Sequence, residues 1–318
     1  MPRPIIIDTD PGQDDAVALL LALASPAELD IRGITAVAGN VPLEFTTRNS
    51  LMMTELAGRP EVPVYAGCDR PMVRPLVTAE YVHGKTGIDG ADTPEPTTTP
   101  ADGHAVDFII ATATNIPGLT VCTLGPLTNL GTALQRAPQI GGHIEQVVLM
   151  GGGFFEGGNT TPAAEFNIYD DPQAADLVFR SGIPLVMMPL DVTHQALTSD
   201  ARVEAFKALG NKAGAATAGM LEFFERYDME RYGTAGAPLH DPTVIAYLLE
   251  PDIFGGRQCS VEIETSSELT MGMTVVDWWG LTDTEPNCLV INEIDDDRFY
   301  GLLTERIGRC LLYTSPSP

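Results

Sequence analysis

The sequence predicts an α/β fold with an open, mainly parallel, Rossmann-like sheet flanked by helices. Short apolar runs rich in β-forming residues recur along the chain, and each is followed by a turn signal and a helical pattern. Strands that alternate with helices are typical of parallel sheets. No shift in composition and no internal repeat marks a domain boundary, so we expect a single large domain. The predicted strands are PIIID, IRGITAVAG, LTVCTLG, IEQVVLMGGG and IPLVMMPLD.

The helices follow from the apolar pattern between these strands. AVALLLALAS, which begins at Ala16, is apolar nearly all round, as expected of a helix packed between a sheet and other elements. A helix-forming stretch extends from Asp200 to Gly233, and we expect it to be broken at Gly210 and Gly214. DGADTPEPTTTPADGHA is rich in Pro and Thr, which predicts an exposed loop.

The charge balance excludes several kinds of partner. The chain has 18 Lys and Arg against 43 Asp and Glu, and the resulting net charge of −25 disfavours nucleic acid and anionic membrane surfaces. No apolar run approaches the roughly 20 residues that span a bilayer, and the N-terminus lacks the pattern of a signal peptide. We therefore expect a cytoplasmic protein that binds a small neutral or cationic molecule.

The last nine residues, CLLYTSPSP from Cys310 to Pro318, resemble a translated sequencing adapter. We interpret them as a non-native tail, which must be set aside before fold reasoning. The predicted domain accordingly comprises residues 1–309, and residues 310–318 form the tail.

Polar residues follow the ends of several predicted strands. Asp8 and Asp10 come directly after the apolar run III, Asn40 follows ITAVAG, and Asp191 follows VMMPL. In open parallel sheets, ligands bind outside the carboxyl ends of the strands. We therefore expect these scattered residues to converge on one pocket.

Four carboxylates are crowded into IIIDTDPGQDDA, at the end of the first predicted strand. At such spacing they repel one another and destabilise the fold unless a positive charge lies among them. No Lys or Arg occurs between Arg3 and Arg32, so the local sequence does not supply that charge. A divalent cation with oxygen ligands would, and calcium tolerates irregular carboxylate sites better than magnesium does. The four acids are Asp8, Asp10, Asp14 and Asp15.

Helix capping and two known acidic motifs explain fewer of these four acids than a bound cation does. Capping of a helix that starts near Ala16 explains Asp14 and Asp15 at most, through the helix dipole. An EF-hand is disfavoured because Pro11 interrupts its ligand pattern and Leu19 stands where a Glu is required. IIIDTD also resembles the nucleophile motif of haloacid-dehalogenase-type phosphatases, which use magnesium, although the continuation PGQDDA departs from it. That phosphatase is retained as an alternative.

The longer string DTDPGQDDAVALLLAL resembles the N-terminal signature of the inosine-uridine-preferring nucleoside hydrolases. Similar segments follow in family order, and together they extend from about Ile5 to about Arg309. Several motifs in one order are a far more specific signal than any one of them. The further segments are ITAVAGN, VHGKTGIDG, LGPLTNL, LMGGG, GNTTPAAEFNIYDDP and GAPLHDP.

The resemblance implies a calcium ion at the floor of the pocket. Its protein ligands would be Asp10, Asp15, Asp241 and the backbone carbonyl of Leu124, whose side chain need not coordinate. Ribose hydroxyls and a water would take the remaining coordination positions. The residues implied to hold the sugar, or to line the pocket beside it, are Asp14, Asn40, Met150, Asn159, Glu165, Asn167 and Asp241.

Hydrolysis of an N-glycosidic bond suits these residues. Bond cleavage builds oxocarbenium-like positive charge on the ribose, which a carboxylate-rich pocket stabilises more than it stabilises the neutral substrate. The resemblance assigns Asp10 as the base that takes a proton from a calcium-activated water. The leaving base must accept a proton or hydrogen bond, and His240, beside Asp241, is the candidate acid. His83 in VHG is the second histidine expected near the base.

We therefore predict a calcium-dependent ribonucleoside hydrolase that releases a free base and ribose. NIYDDP, GMTVVD and the paired histidines are most similar to the pyrimidine-specific branch, which indicates cytidine or uridine. A purine- or inosine-preferring or broad-specificity enzyme is an alternative, because Asp228 stands where a neutral residue is expected, between Tyr227 and Tyr232. A non-catalytic, calcium-dependent nucleoside-binding protein is the alternative outside enzymes. The resemblance also implies a homodimer or homotetramer.

Two further predictions concern how the pocket is shaped. GGGFFEGGN lacks the GxGxxG spacing of a dinucleotide-binding loop, and the next helix is expected only near Pro172. We therefore predict that these glycines form a turn that brings Asn159 and Glu165 into the pocket. Asp8 has no ligand role, and we expect it to fix the acidic loop through hydrogen bonds to the backbone.

Overall fold

A computed structural model of the protein describes residues 1–232 and 236–310, and the side chains of residues 1–226 and 236–310. Within those residues the chain forms an eight-stranded sheet and a separate two-stranded sheet. The strands are β1 (Arg3–Thr9), β2 (Leu29–Ala36), β3 (Val64–Ala66), β4 (Leu119–Thr123), β5 (Ile144–Met150), β6 (Leu185–Met188), β7 (Phe254–Cys259), β8 (Val261–Ile263), β9 (Thr274–Val276) and β10 (Cys288–Ile294).

The large sheet has the strand order β3-β2-β1-β4-β5-β6-β10-β7. Neighbouring strands are parallel from β3 to β10, and β7 pairs with β10 in the antiparallel direction. The predicted fold class, an open and mainly parallel sheet in a single domain, is thus confirmed. The predicted strands correspond to β1, β2, β4, β5 and β6. The sequence prediction omits the short strands β3, β8 and β9, the seven-residue strand β10, and β7, whose segment FGGRQC contains two glycines.

Helices cover both faces of the sheet. No helix in the described part of the chain is long and apolar enough to cross a membrane. The helices are α1 (Gln13–Leu23), α2 (Leu43–Leu56), α3 (Glu80–His83), α4 (Ala105–Asn115), α5 (Thr128–Arg136), α6 (Phe166–Asp170), α7 (Pro172–Phe179), α8 (Leu190–Thr193), α9 (Asp200–Ala208), α10 (Lys212–Tyr232), α11 (Pro242–Leu249) and α12 (Asp296–Arg309), with 3₁₀ helices at Pro138–Gly142 and Pro251–Ile253.

Two hydrophobic clusters fill the spaces between the sheet and its helices. On β1, Ile5 and Ile7 belong to one cluster and Ile6 to the other, as the period of two in a strand requires. Every residue of α1 is buried, which confirms the prediction of an apolar helix against the sheet. The helix begins at Gln13, before the expected start at Ala16, so Asp14 and Asp15 lie in its first turn.

Three local predictions have different outcomes. The break at Gly210 is confirmed, because this residue lies between α9 and α10 with a left-handed φ of 68°. The break at Gly214 is wrong, since α10 continues through it. A Cβ at that position would lie 2.5 Å from the carbonyl oxygen of Phe206, so the glycine allows α10 to pack closely on α9. The helix expected near Pro172 is preceded by α6, which the sequence prediction omits.

The loop expected around residues 89–105 is confirmed, because residues 91–104 are irregular and mostly exposed. At the other end of the chain, α12 ends at Arg309 and Cys310 follows it. The rest of the predicted non-native tail, residues 311–318, lies outside the described residues.

Candidate active site

A pocket lies where the carboxyl ends of the central strands meet. β1 is flanked by β2 on one side and β4 on the other, so the strand order reverses there, which is where open α/β sheets bind ligands. Most of the predicted site residues line this pocket, and Asp10 and Asp15 are fully buried. The predicted residues that line it are Asp14, Asn40, His83, Leu124, Met150, Asn159, Glu165, Asn167, His240 and Asp241.

Four buried aspartates, Asp10, Asp14, Asp15 and Asp241, form what we call the acidic floor. Ligand oxygens of Asp14, Asp15 and Asp241 lie within 4.8 Å of one another. Asp14 therefore belongs to this group, although the resemblance assigns it to the sugar. Asp10 adjoins the group and adds to the repulsion that Asp241 experiences.

Asp15 is fixed by the loop that it helps to close. Its Oδ1 accepts a hydrogen bond from the Thr9 hydroxyl (2.5 Å), and its Oδ2 accepts from the Gly12 amide (3.0 Å) and from Asn40 Nδ2 (3.1 Å). These contacts tie the end of β1, the first turn of α1 and the segment after β2 to one carboxylate. The crowded acids are thus held in place by backbone and neutral side chains.

Asp10 is held on one oxygen and free on the other. The Asn40 amide donates to Oδ2 (2.7 Å), whereas Oδ1 is buried without a hydrogen-bond partner among the described residues. A Cβ at Gly39 would lie 2.1 Å from Oδ2, and a Cβ at Gly125 would lie 2.2 Å from Oδ1. Both glycines are therefore required for the backbone to approach this carboxylate.

Burial raises the pKa of every acid in the floor, and repulsion by neighbouring acids adds to it for Asp10, Asp14 and Asp241. Burial first, and then the charge of Asp15, raise the pKa of Asp10 well above its usual value, and the same two causes raise that of Asp14 to about 7. Burial also raises the pKa of Asp15, and burial with the charge of Asp14 raises that of Asp241 well above its usual value. None of the described residues that line the pocket is a lysine or arginine. The donor set therefore fits a hard cation such as calcium.

The segment between β5 and α6 forms the opposite side of the pocket. Glu165 accepts hydrogen bonds from the backbone amides of Gly152 (2.9 Å) and Asn167 (2.9 Å), which caps α6 and closes the glycine-rich turn. Asn167 Nδ2 donates to the carbonyl of Leu124 (2.7 Å), and Asn159 Oδ1 accepts from the α6 amide of Phe166 (3.0 Å). The predicted turn thus brings Asn159 and Glu165 to the pocket.

The remaining side carries rings and is here called the histidine wall, formed by His83, His194, Phe224 and His240. His83 stacks on Phe224 with ring centroids 5.5 Å apart, and His240 lies edge-on to Phe224 at 6.5 Å. Burial lowers the pKa of His83 to about 3, and burial with the charges of His194 and His83 lowers that of His240 to about 3. Both rings are therefore neutral at physiological pH.

Sequence reasoning missed four residues of this site. Gln13 contacts His83, the Thr193 hydroxyl lies 2.8 Å from His240 Nδ1, and His194 and Phe224 line the pocket. Gln13 stands inside the acidic loop, and Thr193 and His194 follow a predicted strand, so their positions were informative. Phe224 carries no such signal, because it lies within a long helix. The side chains of Tyr227, Asp228 and Tyr232, expected to contact the base, lie outside the described residues.

Asp8 differs from the prediction. Its Oδ1 accepts hydrogen bonds from the side chains of Thr35 (2.5 Å) and Asn129 (2.8 Å), so the expected bonding of its carboxylate to the backbone is wrong. Asp8 points to the α5 face of the sheet because side chains alternate along β1. It thereby joins β1, β2 and α5 beneath the pocket.

Comparisons with known proteins agree with this geometry. The family model described as "Inosine-uridine preferring nucleoside hydrolase" matches residues 5–301. The chain is 54% identical over 307 residues to an uncharacterized protein of Schizosaccharomyces pombe, covering 96% of this chain and 99% of that protein. It is 47% identical over 309 residues to the pyrimidine-specific ribonucleoside hydrolase RihA of Salmonella agona, with the same coverage of 96% and 99%.

A solved structure gives the same result. The purine-preferring ribonucleoside hydrolase from Gardnerella vaginalis superimposes with a TM-score of 0.90 at 34% identity, covering 97% of this chain and 99% of that one. Fold and pocket thus define a hydrolase of N-glycosyl bonds. The chain belongs to the inosine-uridine preferring nucleoside hydrolase family, and it is a ribonucleoside hydrolase. The resemblance is confirmed, and the phosphatase and the non-catalytic binding protein are excluded as its class.

Proposed function

We propose that this ribonucleoside hydrolase requires calcium and hydrolyses cytidine and uridine to the free base and ribose. The observation that carries the calcium requirement is the buried group of Asp14, Asp15 and Asp241 at the floor of the pocket. Carboxylates at this spacing repel one another strongly in a buried site. Calcium accepts the irregular oxygen geometry that they offer.

The proposed protein ligands are Asp10, Asp15, Asp241 and the carbonyl oxygen of Leu124. Leu124 lines the pocket, and its carbonyl uses one lone pair for Asn167, so its second lone pair is available. Asp10 Oδ2 uses one lone pair for the Asn40 amide, so its second lone pair is available to the cation. When bound, calcium supplies Lewis-acid activation of the attacking water.

Asp10 is the proposed general base. Its Oδ2 is anchored by the Asn40 amide, and its Oδ1 is the oxygen left to accept a proton. Burial raises the pKa of this carboxyl, which makes its anion a stronger base than an exposed carboxylate. The backbone at Gly39 and Gly125 encloses the carboxylate, so it cannot swing away from the pocket.

Ribose would lie between the acidic floor and the start of α6. Asp14 and Asp241 face it from the floor, and Asn40 from the segment after β2. Hydrogen bonds that the sugar hydroxyls donate to carboxylate and amide oxygens grow stronger as positive charge develops on the ring. The other residues proposed to contact the sugar are Met150, Asn159, Glu165 and Asn167.

His240 is the proposed acid for the leaving base. It directly precedes Asp241 in the sequence, so a base attached to a sugar on the floor would face its ring. The half-buried ring is neutral and can present one N–H to the departing nitrogen. His83 is proposed to contact the base from the other side of Phe224.

The preference for pyrimidines is supported by the 47% identity to an enzyme named pyrimidine-specific over nearly the whole of both chains. The purine-preferring enzyme shares the fold at lower identity, so inosine is the competing substrate that an assay must include. We further propose that residues 1–309 form the native domain, residues 310–318 being adapter-like. From the resemblance and the composition we propose a cytoplasmic homodimer or homotetramer.

The test is an assay of released ribose with uridine, cytidine, inosine and adenosine, with and without a chelator. We expect uridine and cytidine to react faster than the purines, and the chelator to abolish turnover until calcium is restored. If no ribose is released from any of the four nucleosides with calcium present, the proposal is wrong. Faster release from inosine would replace the pyrimidine preference by a purine preference.

Calorimetry separates metal binding from turnover. Asp241→Asn should weaken calcium binding at least tenfold, which is the effect of about 1.4 kcal/mol in binding free energy. Asp283→Asn, a matched change at an exposed aspartate, should leave calcium affinity and activity unchanged. Asp14→Asn tests whether Asp14 binds the metal or the sugar. Loss of calcium affinity would identify Asp14 as a metal ligand, whereas a raised KM with unchanged calcium affinity would identify it as a ribose contact.

A further inference from the structure

Gln13 joins the acidic loop to His83 through both ends of its side-chain amide. The glutamine is fully buried in the first turn of α1. Its Nε2 donates to the carbonyl oxygens of His83 (2.9 Å) and Asp89 (3.1 Å). Its Oε1 lies 2.7 Å from His83 Nδ1. The same residue therefore contacts both the backbone and the ring of His83.

These contacts determine the orientation of the amide. Carbonyl oxygens can only accept hydrogen bonds, so the two backbone carbonyls require the NH₂ group of Gln13 on their side. The amide oxygen must then face the His83 ring. Because that oxygen can also only accept, Nδ1 must carry the ring proton. A neutral imidazole has one N–H, which leaves Nε2 of His83 as a bare acceptor.

The partner of His240 imposes no such restriction. His240 Nδ1 contacts the Thr193 hydroxyl at 2.8 Å, and a hydroxyl can either donate or accept. If Thr193 donates to Nδ1, the ring proton of His240 resides on Nε2. The two pocket histidines thus differ in what they can offer a ligand, although both are neutral rings on the histidine wall.

We propose that Gln13 is a positioning residue for the hydrolysis, which fixes His83 as the Nδ1–H tautomer. His83 then meets the leaving base as a hydrogen-bond acceptor at Nε2, and His240 is the histidine that can supply a proton. The inference rests on the proposed function, which places the base at the histidine wall. It implies a base that presents an N–H group to His83, as the amino group of cytosine and the imide of uracil do.

The loop geometry explains why this position is sensitive. A Cβ at the neighbouring Gly12 would lie 2.4 Å from His83 Nδ1, so the ring packs directly against the acidic loop. Gln13 therefore couples the placement of the metal-binding loop to the placement of a base-contacting ring. Asp14 and Asp15, the next two residues of α1, belong to the acidic floor.

The experiment compares variants by ¹⁵N NMR of selectively labelled histidine rings and by kinetics with uridine, using the full chain with calcium. Gln13→Met keeps the length of the side chain and removes the amide. We expect the His83 signals of the wild type to show a protonated Nδ1, and those of Gln13→Met to show mixed or Nε2-protonated tautomers. We expect kcat/KM to fall about tenfold, mainly through kcat. Gln13→Glu keeps the acceptor oxygen that faces Nδ1 but loses the donor to the two backbone carbonyls, and it should show the Nδ1–H pattern because the ring contact alone sets the tautomer.

Asn49 provides a matched control. It is fully buried, and its Nδ2 donates to the carbonyl oxygens of Pro11 (3.0 Å) and Thr86 (2.6 Å), joining the same two loops without touching the His83 ring. Asn49→Leu should leave the tautomer and kcat unchanged even where it lowers the melting temperature. A retained Nδ1–H pattern in Gln13→Met, or an equal loss of kcat in Asn49→Leu, would overturn the inference. The tautomer of His83 is measured without substrate, so this result does not depend on which nucleoside the enzyme hydrolyses.

Discussion

The acidic floor takes three of its carboxylates from one short loop between Asp10 and Asp15, whereas the histidine wall takes its rings from separate parts of the chain. Burial acts on both regions and favours the neutral form in each. It raises the pKa of the aspartates and lowers that of His83 and His240. The floor gathers several like charges that need a cation, while the wall consists of rings that are stable without charge. The floor is thus suited to electrostatic stabilisation and the wall to hydrogen bonding.

The largest effect is expected from Asp10→Asn in the floor. It removes the proposed base and one metal ligand while keeping the shape of the side chain, so ribose release should fall about 1000-fold, within the range typical of a lost general base. The loss should be similar for cytidine, uridine and inosine, because we propose that the base lies at the histidine wall and not on the floor.

Asp8→Asn is the control for this change. Asp8 is similarly buried, at the end of the same strand, and an asparagine oxygen can still accept from Thr35 and Asn129. Its activity should stay within about twofold of the wild type, an effect too small for loss of a catalytic group. Wild-type turnover in Asp10→Asn, with the fold verified by circular dichroism, would remove Asp10 from the mechanism.

A smaller and substrate-dependent effect is expected in the wall. His240→Gln should lower the rate with uridine about 100-fold, the lower range for a general acid. The loss should shrink with p-nitrophenyl riboside, since its leaving group departs as a stable anion and needs no proton. Equal losses with both substrates would contradict the role of His240 as the acid. His194→Gln is the matched comparison, because a larger substrate dependence there would assign the acid to His194.

The floor could be predicted in more detail than the wall, for a physical reason. Asp10, Asp14 and Asp15 lie close in sequence and directly after a strand, so their convergence follows from local spacing. The carboxyl ends of β2 and β4 then place Asn40 and Leu124 beside them. His83 and His240 were found through motifs, but no local pattern predicts which residues contact their rings.

In the fold, too, contacts between distant segments could not be predicted from local sequence patterns. Five strands were predicted from their apolar runs, whereas β10 was missed despite its run CLVI. β7 forms as an antiparallel edge through pairing with β10, and its own sequence is poor in β-forming residues. Gly214 shows the converse error. A glycine within a helical pattern suggests a break, but here the close approach of Phe206 in α9 requires it. Both outcomes depend on contacts between elements that local sequence patterns do not reveal.

The hydrogen bond between Thr193 and His240 should contribute less than either ring. Thr193→Val keeps the volume of the side chain and removes the hydroxyl at 2.8 Å from Nδ1. We expect kcat to fall about five- to tenfold, which matches the usual 1 to 1.4 kcal/mol for a neutral hydrogen bond. Thr217→Val is the matched control, because its buried hydroxyl has no hydrogen-bond partner among the described residues. Equal effects of both changes would mean that the hydroxyl of Thr193 does not act on His240.

The smallest expected effect concerns stability and tests the neutral state of the wall. Burial lowers the pKa of His83 to about 3 from the usual 6.5. Between these values the unfolded chain binds a proton that the folded protein does not, so the free energy of unfolding falls as the pH falls. One such site contributes a slope of at most about 1.4 kcal/mol per pH unit. His83→Gln removes the site, and its unfolding free energy should therefore fall less steeply between pH 6.5 and about pH 4.

Urea denaturation of the calcium-free wild type and variant across this range measures the difference in slope. The other groups titrate in both proteins, and apart from the effect of His83 on His240 their contributions cancel in the comparison. His143→Gln, a change at an exposed ring that is hydrated in the folded and the unfolded chain, should leave the slope of the wild type unchanged. Parallel curves for His83→Gln and the wild type would show that His83 gains its proton as readily in the folded protein as in the unfolded chain. The histidine wall would then carry charge beside the acidic floor, and the contrast between the two regions would not hold.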